Sequence, residues 1–473
     1  MTTNKPKSLK AALSEFDELR RKIQKDSQRP EYHFLAPVRW MNDPNGPVFA
    51  NEKYHIFYQF NPFDDTWGHI HWGHAISDDL IHWKHLPIAL IPSIEKGEQH
   101  CFSGSCVIDD GTPKILYTSI GPNKPPSVGA EQWLAVGDKN LIHWEKYTKN
   151  PVMTLDLHSS LDVRDWRDPF IWREGNIWYC VLSGHLIKPK RPLVLLYRSV
   201  DLKSWEYINP LLIEDRKKGK NWECPNFFKI RDKYILIVSP HKKVIYNIGN
   251  FMNNKFVPSE WKIFDYGNSF YATNILSDPI ENRIILWGWI QGGGDIKGWN
   301  GCLSLPRVLK LDARNNLIIN PLPELKILRN EQKHFQNLII TEKDEDNILF
   351  KGTLMELKIL IENVSAEKVG FYLYSDRNSN NKYSIGFHKS KNFIWAGKEI
   401  AEIDEKVDDH TLKLHIYIDN SVTEVYVNNR YCLTSRIFIK DNKKFSLVPF
   451  SEDGEFKIKE IDIWELKPIN NKK

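Results

Sequence analysis

A tryptophan returns at a fixed interval in this chain, and that interval limits what the chain can fold into. The phrase Ser77-Asp78-Asp79-Leu80-Ile81-His82-Trp83 is echoed by Asp138-Lys139-Asn140-Leu141-Ile142-His143-Trp144 and by Ser199-Val200-Asp201-Leu202-Lys203-Ser204-Trp205, which sets successive tryptophans 61 residues apart. A weaker echo, Ser259-Glu260-Trp261, follows 56 residues later. Short β-like runs bounded by turn residues lie between these points, among them Tyr54–Phe60, Lys114–Ser119, Ile177–Leu182 and Tyr234–Val238. A period of about 60 residues holding about four strands predicts propeller blades around a channel. The stretch from about Tyr32 to Pro321 has room for five such blades, although the fourth echo is weak and the fifth is missing.

The pattern changes after Pro321-Leu322-Pro323, where Lys and Asn become more frequent and the repeat stops. Strand-like runs continue at Leu354–Ile361, Val369–Tyr374, Lys382–Phe387, Thr411–Ile418, Thr423–Val427 and Phe456–Trp464. Alternation such as Lys413-Leu414-His415-Ile416-Tyr417-Ile418 fits strands with one buried face, and no helix-length pattern intervenes. The expectation is an all-β protein, a five-bladed β-propeller over residues 31–325 followed by a C-terminal β-sandwich over 326–473. Before them, in residues 1–30, Leu9, Leu13, Phe16, Leu19 and Ile23 recur at helical spacing among mixed charges. That predicts a short amphipathic helix packed on the main domain.

Composition excludes some partners. The net charge of +5 is small for 473 residues, and no dense Lys/Arg block is interleaved with aromatics, which argues against nucleic acid. No stretch reaches the roughly 18 apolar residues of a membrane span. The start of the chain lacks an apolar signal core. Six cysteines (Cys101, Cys106, Cys180, Cys224, Cys302 and Cys432) form no C-x-x-C pair and no metal-like cluster. They read as buried thiols in a reducing compartment, so the expectation is a cytoplasmic protein. Asn363-Val364-Ser365 fits the glycosylation pattern, but one match in this length is close to chance.

Three carboxylates stand in unusual polar and turn-rich runs. Asn42-Asp43-Pro44-Asn45-Gly46 precedes a strand and, taken alone, is turn chemistry. Arg164-Asp165-Trp166-Arg167-Asp168-Pro169 reads alone as a structural ion pair, and Trp222-Glu223-Cys224-Pro225-Asn226 as a strand-edge Glu. A propeller changes their meaning, because inner strands deliver residues distant in sequence to one channel mouth. Cleavage of a glycosidic bond with retention needs two such groups about 5–5.5 Å apart, one ionised to attack and one protonated to assist the leaving group.

The ordered set of motifs resembles glycoside hydrolase family 32, the invertase and fructan-hydrolase family. Trp40-Met41-Asn42-Asp43-Pro44-Asn45-Gly46 is similar to its opening motif. Tyr54-His55-Ile56-Phe57-Tyr58-Gln59, Trp72-Gly73-His74-Ala75, Phe102-Ser103-Gly104-Ser105, Arg167-Asp168-Pro169 and Glu223-Cys224-Pro225 follow in family order. Phe270-Tyr271-Ala272, Trp287-Gly288-Trp289 and Leu305-Pro306-Arg307 continue it, and Asp419-Asn420-Ser421-Val422-Thr423-Glu424-Val425-Tyr426 is similar to a late strand motif. The resemblance implies the same two-domain fold and release of terminal fructosyl units from sucrose, sucrose 6-phosphate or short fructo-oligosaccharides through a covalent intermediate. It implies Asp43 as nucleophile, Glu223 as general acid/base, and Asp168 as the group that holds fructosyl hydroxyls and steadies the transition state. Asn42, Gln59, Trp67, Phe102, Ser103, Arg167 and Trp289 are the expected contacts to the sugar. Neither a cofactor nor a metal is implied.

The required chemistry sets expectations for each carboxyl: Asp43 kept ionised by hydrogen bonds, Glu223 raised by burial near another anion, and Asp168 kept charged by Arg167. The chain departs from the family around Ser269, where many relatives carry an acidic residue, and at Asn274 and Asn429. The first departure bears on the leaving group. Lys96, Lys124 and Lys188 are candidates to meet a phosphate. His69, His71 and His74 could suggest a metal, but residue 74 falls on the opposite face of a strand from 69 and 71. Gly292-Gly293-Gly294 lacks the following Lys-Ser/Thr of a phosphate cradle. Two alternatives stay open: fructosyl transfer on the same intermediate, and a sugar-binding propeller without activity. A homodimer through the sandwich is also left open.

Overall fold

A computed structural model describes residues 8–121, 126–158, 160–214, 221–344, 347–374, 382–403, 411–437 and 444–469. It is an all-β protein: five blades of four or five strands form a propeller, and two sheets behind it form a sandwich. The five inner strands are Arg39–Ala50, His100–Asp109, Val163–Glu174, Glu223–Ile230 and Phe270–Asp278. Each touches the next and the fifth touches the first, which closes a ring around the channel. Closure of the fifth blade onto the first is hydrogen-bonded: Trp299–Leu303 pairs with the fifth blade's second strand and, in parallel, with Arg39 and Trp40 of the first.

The tryptophan repeat is one turn used three times, between the third and fourth strands of blades 1 to 3. In each copy the indole N–H donates back three residues, Trp83 to Leu80 O, Trp144 to Leu141 O and Trp205 to Leu202 O, at 2.9–3.1 Å. Leu80, Leu141 and Leu202 all adopt left-handed backbone angles, φ 61–68°. In blades 1 and 3 the Asp79 and Asp201 carboxylates accept from two backbone N–H groups at the turn. In blade 2 Asp138, which stands where the other copies have Ser77 and Ser199, does the same work. The weak fourth echo has a cause: the third strand of blade 4 folds back at Lys255–Pro258 before Trp261 leads into the two-residue strand Lys262–Ile263. In blade 5 the equivalent turn is closed by Asp312, which accepts from Arg314 N and Asn316 N without a tryptophan.

The sandwich has two six-stranded antiparallel sheets that share one apolar core, including Leu357, Phe371, Leu414, Val425 and Ile463. The expected N-terminal helix is two short ones, Leu9–Ser14 and Phe16–Ile23, and the part expected over residues 1–7 lies outside the described residues. Its apolar side packs as expected: Ile23 is buried, and Phe16 meets Phe60 edge-on at 6.1 Å.

A buried charge network joins the domains. Arg307, fully buried, donates to Asp265 at 2.8 Å and to Glu424 at 2.8 Å. Glu424 also meets His33 Nε2 at 3.1 Å, and His33 Nδ1 lies 2.8 Å from Asp419, which accepts the N–H groups of Glu31, Tyr32 and His33. Two of the motifs that carry the resemblance, Leu305-Pro306-Arg307 and the strand through Glu424, therefore meet at the domain interface.

Candidate active site

Each inner strand breaks its register with the second strand at the same place. The ladder skips Asn42-Asp43, Phe102-Ser103, Asp168-Pro169, Cys224-Pro225 and Ala272-Thr273. Such bulges re-aim side chains. Here five of them, one per blade, turn consecutive residues toward the channel mouth. Asp168, Cys224 and Ala272 take φ values of 64°, 47° and 47° to do so, and Pro169 and Pro225 need no ladder donor where the pairing lapses.

Equivalent positions then become neighbours. Arg167, Glu223 and Tyr271 precede the bulges of blades 3, 4 and 5. The Arg167 guanidinium donates to Glu223 Oε1, and the Tyr271 hydroxyl donates to Glu223 Oε2 at 2.6 Å. Asp43 accepts at Oδ2 from Ser103 Oγ (2.5 Å), Gln59 Nε2 (3.3 Å) and the Cys224 thiol (3.4 Å), and at Oδ1 from Asn42 Nδ2 (2.9 Å). Asn42 is itself fixed, donating to Gln59 Oε1 and accepting from the Trp40 indole. Asp168 accepts from Cys224 N at 3.0 Å, and the Cys224 thiol lies 3.7 Å from the same oxygen. Asp43, Asp168 and Glu223 thus converge around one cysteine.

Burial shifts two of these carboxyls, and the expectation for Asp168 needs correction. Burial raises the Asp43 carboxyl above its ordinary value, against the bonds from Ser103 and Asn42, with Glu223 nearby acting in the same direction. Asp168, expected to stay charged, is pushed up to about 7 by burial; Arg167 opposes the shift, while Glu223 and Asp43 add to it. The reason is where Arg167 points. Its Nη2 bonds Glu223 and its Nη1 bonds Asp165, leaving only Nε at 3.9 Å from Asp168.

Among the expected sugar contacts, Asn42, Gln59 and Ser103 form the polar cup around Asp43. Trp67 is 50% exposed at the rim, edge-on to Phe102 at 6.0 Å. Trp289 stands on the other side against Trp40, ring centroids 5.5 Å apart. Because neighbouring strands are antiparallel, the loops between second and third strands open at this same end. Lys188 sits in such a loop and Lys96 in the segment entering blade 2, while Lys124 lies outside the described residues. Sequence reasoning missed His241, whose Nε2 is 3.3 Å from Glu223 Oε1. Its signal was its place in the blade 4 rim turn Pro240-His241-Lys242-Lys243. It also missed the bridging position of the Cys224 thiol, which a Glu-Cys-Pro run does not reveal.

Comparison with known proteins places this geometry. The model of the glycosyl hydrolases family 32 N-terminal domain matches residues 33–321, and that of the family 32 C-terminal region matches 324–465. A sucrose-6-phosphate hydrolase of Zymomonas mobilis is 30% identical over 93% of this chain and 93% of its own. The solved GH32 beta-fructofuranosidase of Bombyx mori superposes with a TM-score of 0.82 at 27% identity, over 98% of this chain and 99% of that one. Fructan 1-exohydrolase IIa of Cichorium intybus gives 0.84 at 26%, over 93% and 98%. The chain is a glycoside hydrolase and belongs to glycosyl hydrolases family 32.

Proposed function

We propose that this enzyme releases terminal β-D-fructofuranosyl units from sucrose, sucrose 6-phosphate or short fructo-oligosaccharides with retention. The supporting observation is the convergence of Asp43, Asp168 and Glu223 from three different blades at one mouth. Asp43 attacks the anomeric carbon of the fructosyl unit. Its four donors hold the carboxylate oxygens in place, so little reorganisation precedes attack. Glu223 gives its proton to the leaving oxygen, then takes one from water when the fructosyl–Asp43 ester is hydrolysed. Arg167, Tyr271 and His241 orient it. Asp168 binds fructosyl hydroxyls beside Cys224, and a carboxyl titrating near neutrality can accept or donate to them. Asn42, Gln59 and Ser103 contact the fructosyl unit, and Trp67, Phe102 and Trp289 offer it apolar faces.

Six cysteines that are all free and buried agree with a reducing, cytoplasmic setting. No helix among the described residues is long and apolar enough to cross a membrane. The test is direct. Asp43→Ala and Glu223→Ala should each lower fructose release from sucrose by at least about 10²-fold, the low end for a lost general acid. Parent-like rates in either variant would refute the assignment.

A further inference from the structure

The ladder of blade 3 skips Asp168 and Pro169, and the Asp168 N–H turns to another blade. Thr118 Oγ1 of blade 2 accepts it at 2.9 Å. With that oxygen serving as acceptor, the Thr118 hydroxyl donates its own proton to Gln132 Oε1 at 2.7 Å. Gln132 is anchored by its backbone, whose N–H donates to Met153 O and whose carbonyl accepts from Val152 N. Both Thr118 and Gln132 are fully buried. Asp168 holds a left-handed φ of 64°, a conformation that persists in a residue with a side chain only where its surroundings fix it. Blade 2 thus holds the Asp168 backbone, while Cys224 N of blade 4 holds its carboxylate.

The sheet itself does not need this polar pair. Thr118, on the second strand Thr112–Ile120, lies opposite the bulge of blade 2 and pairs across to Gln132 on the third strand, Ala130–Gly137. In blade 3 the same position is Leu182, paired with Leu195, and in blade 4 it is Val238, paired with Ile245. Those blades are built with apolar pairs, and blade 5 has Gly288 there. In blade 1 the position is Gln59, which donates to Asp43. A polar side chain therefore stands opposite the bulge in the two blades where it reaches an active-site aspartate. Burying polar groups is costly unless every atom is bonded, and Gln132 Nε2 has no partner among the described residues. Blade 2 tolerates that cost at the one place that touches Asp168.

We infer that Thr118 and Gln132 are positioning residues for Asp168: Gln132 orients the Thr118 hydroxyl, and Thr118 fixes the bulge that turns the Asp168 carboxylate toward the fructosyl unit. This rests on the reading of Asp168 as the group that binds fructosyl hydroxyls. Both residues act through the Asp168 backbone and not on the sugar.

Steady-state hydrolysis of sucrose by three variants, with thermal melts of each, tests it. Thr118→Val combined with Gln132→Leu copies the apolar pairs of blades 3 and 4, so the sheet should fold and give the circular dichroism of the parent. The Asp168 N–H is left without its acceptor, and kcat should fall about 10- to 100-fold with a smaller change in KM, the scale of a displacement of up to about 1 Å. Thr118→Val alone keeps the shape of threonine and carries the same expectation should the double variant fail to fold. Thr118→Ser keeps the hydroxyl but loses a buried methyl, so it should melt below the parent yet recover most of kcat. Parent-like kcat without the hydroxyl overturns this inference. So does a kcat that falls in step with Tm across all the variants, which is what a purely structural pair would give. Asp168→Asn hydrolysing sucrose at the parent rate would instead sink the underlying reading of Asp168.

Discussion

His33→Gln tests whether the domain interface is held by a charged histidine. His33 has no exposed side-chain surface and lies between Asp419 Oδ2 at 2.8 Å and Glu424 Oε1 at 3.1 Å. Burial alone would lower its pKa. The bonds and charges of Asp419 and Glu424 outweigh burial and raise it from 6.5 to about 9. A raised histidine contributes stability that is complete below pH 6.5 and is lost as pH rises through about 9. At 1.36 kcal/mol per unit the contribution is about 3 kcal/mol. A chain of 473 residues has an unfolding entropy near 1 kcal/mol per degree, so the change is about 3 °C in Tm. Glutamine fills similar space but cannot carry the charge. Scanning calorimetry from pH 6 to 10 at constant ionic strength should show the parent losing about 3 °C relative to His33→Gln across that window. Parallel curves would show that His33 is not protonated in the folded interface, and the reasoning would be wrong.

Asp168→Asn should abolish fructose release yet raise Tm above that of the parent at pH 8. The parent carboxyl, raised to about 7, contributes stability below pH 3.8 that is lost as pH rises through 7; thermal melts at pH 4 and pH 8 should show the gain only at the higher pH. Cys224→Ala removes a donor to Asp43, and a weak thiol bond of about 1 kcal/mol predicts a roughly fivefold fall in kcat/KM, with Cys224→Ser recovering most of it. Gly104→Ala would place a Cβ 2.2 Å from the Leu116 carbonyl oxygen inside blade 2, so soluble yield and Tm should both fall sharply.

How much of this was legible depends on whether the signal is local. The blade period could be read because Trp83, Trp144 and Trp205 each close the same turn with their own indole N–H, a device contained in a few residues. It faded where the backbone solved the turn differently, by the fold-back at Lys255–Pro258 and by Asp312. The three carboxylates could be proposed because motif order carried them, although each run alone reads as a turn or an ion pair. What could not be read was the direction of long side chains. Arg167 is next to Asp168 in sequence, yet its fork is spent on Glu223 and Asp165. Residues one blade apart meet at the mouth, and the Arg167 fork reaches across to Glu223 more closely than to its neighbour Asp168. Burial, with the charges of Glu223 and Asp43, then raises Asp168 in spite of Arg167, and none of these could be read from the Arg-Asp pair.

The same logic explains why a hydrolase whose carboxylates all lie on the propeller also carries motifs in its sandwich. The Arg307 guanidinium that binds Glu424 and Asp265 lies 4.4 Å over the Phe270 ring. Phe264, just before Asp265, stacks on Phe270 as well. Phe270 starts the inner strand of blade 5, and the next residue is Tyr271, which donates to Glu223. The clamp between the domains therefore ends one residue from a group that orients the proposed acid/base. Loss of the sandwich would leave Arg307 and Asp265 without Glu424 and Thr434, a buried cation and anion stripped of half their partners. The strand that presents Tyr271 would lose its packing with them. On this argument the sandwich holds blade 5 in register, and its strand through Glu424 belongs to the support of the active site.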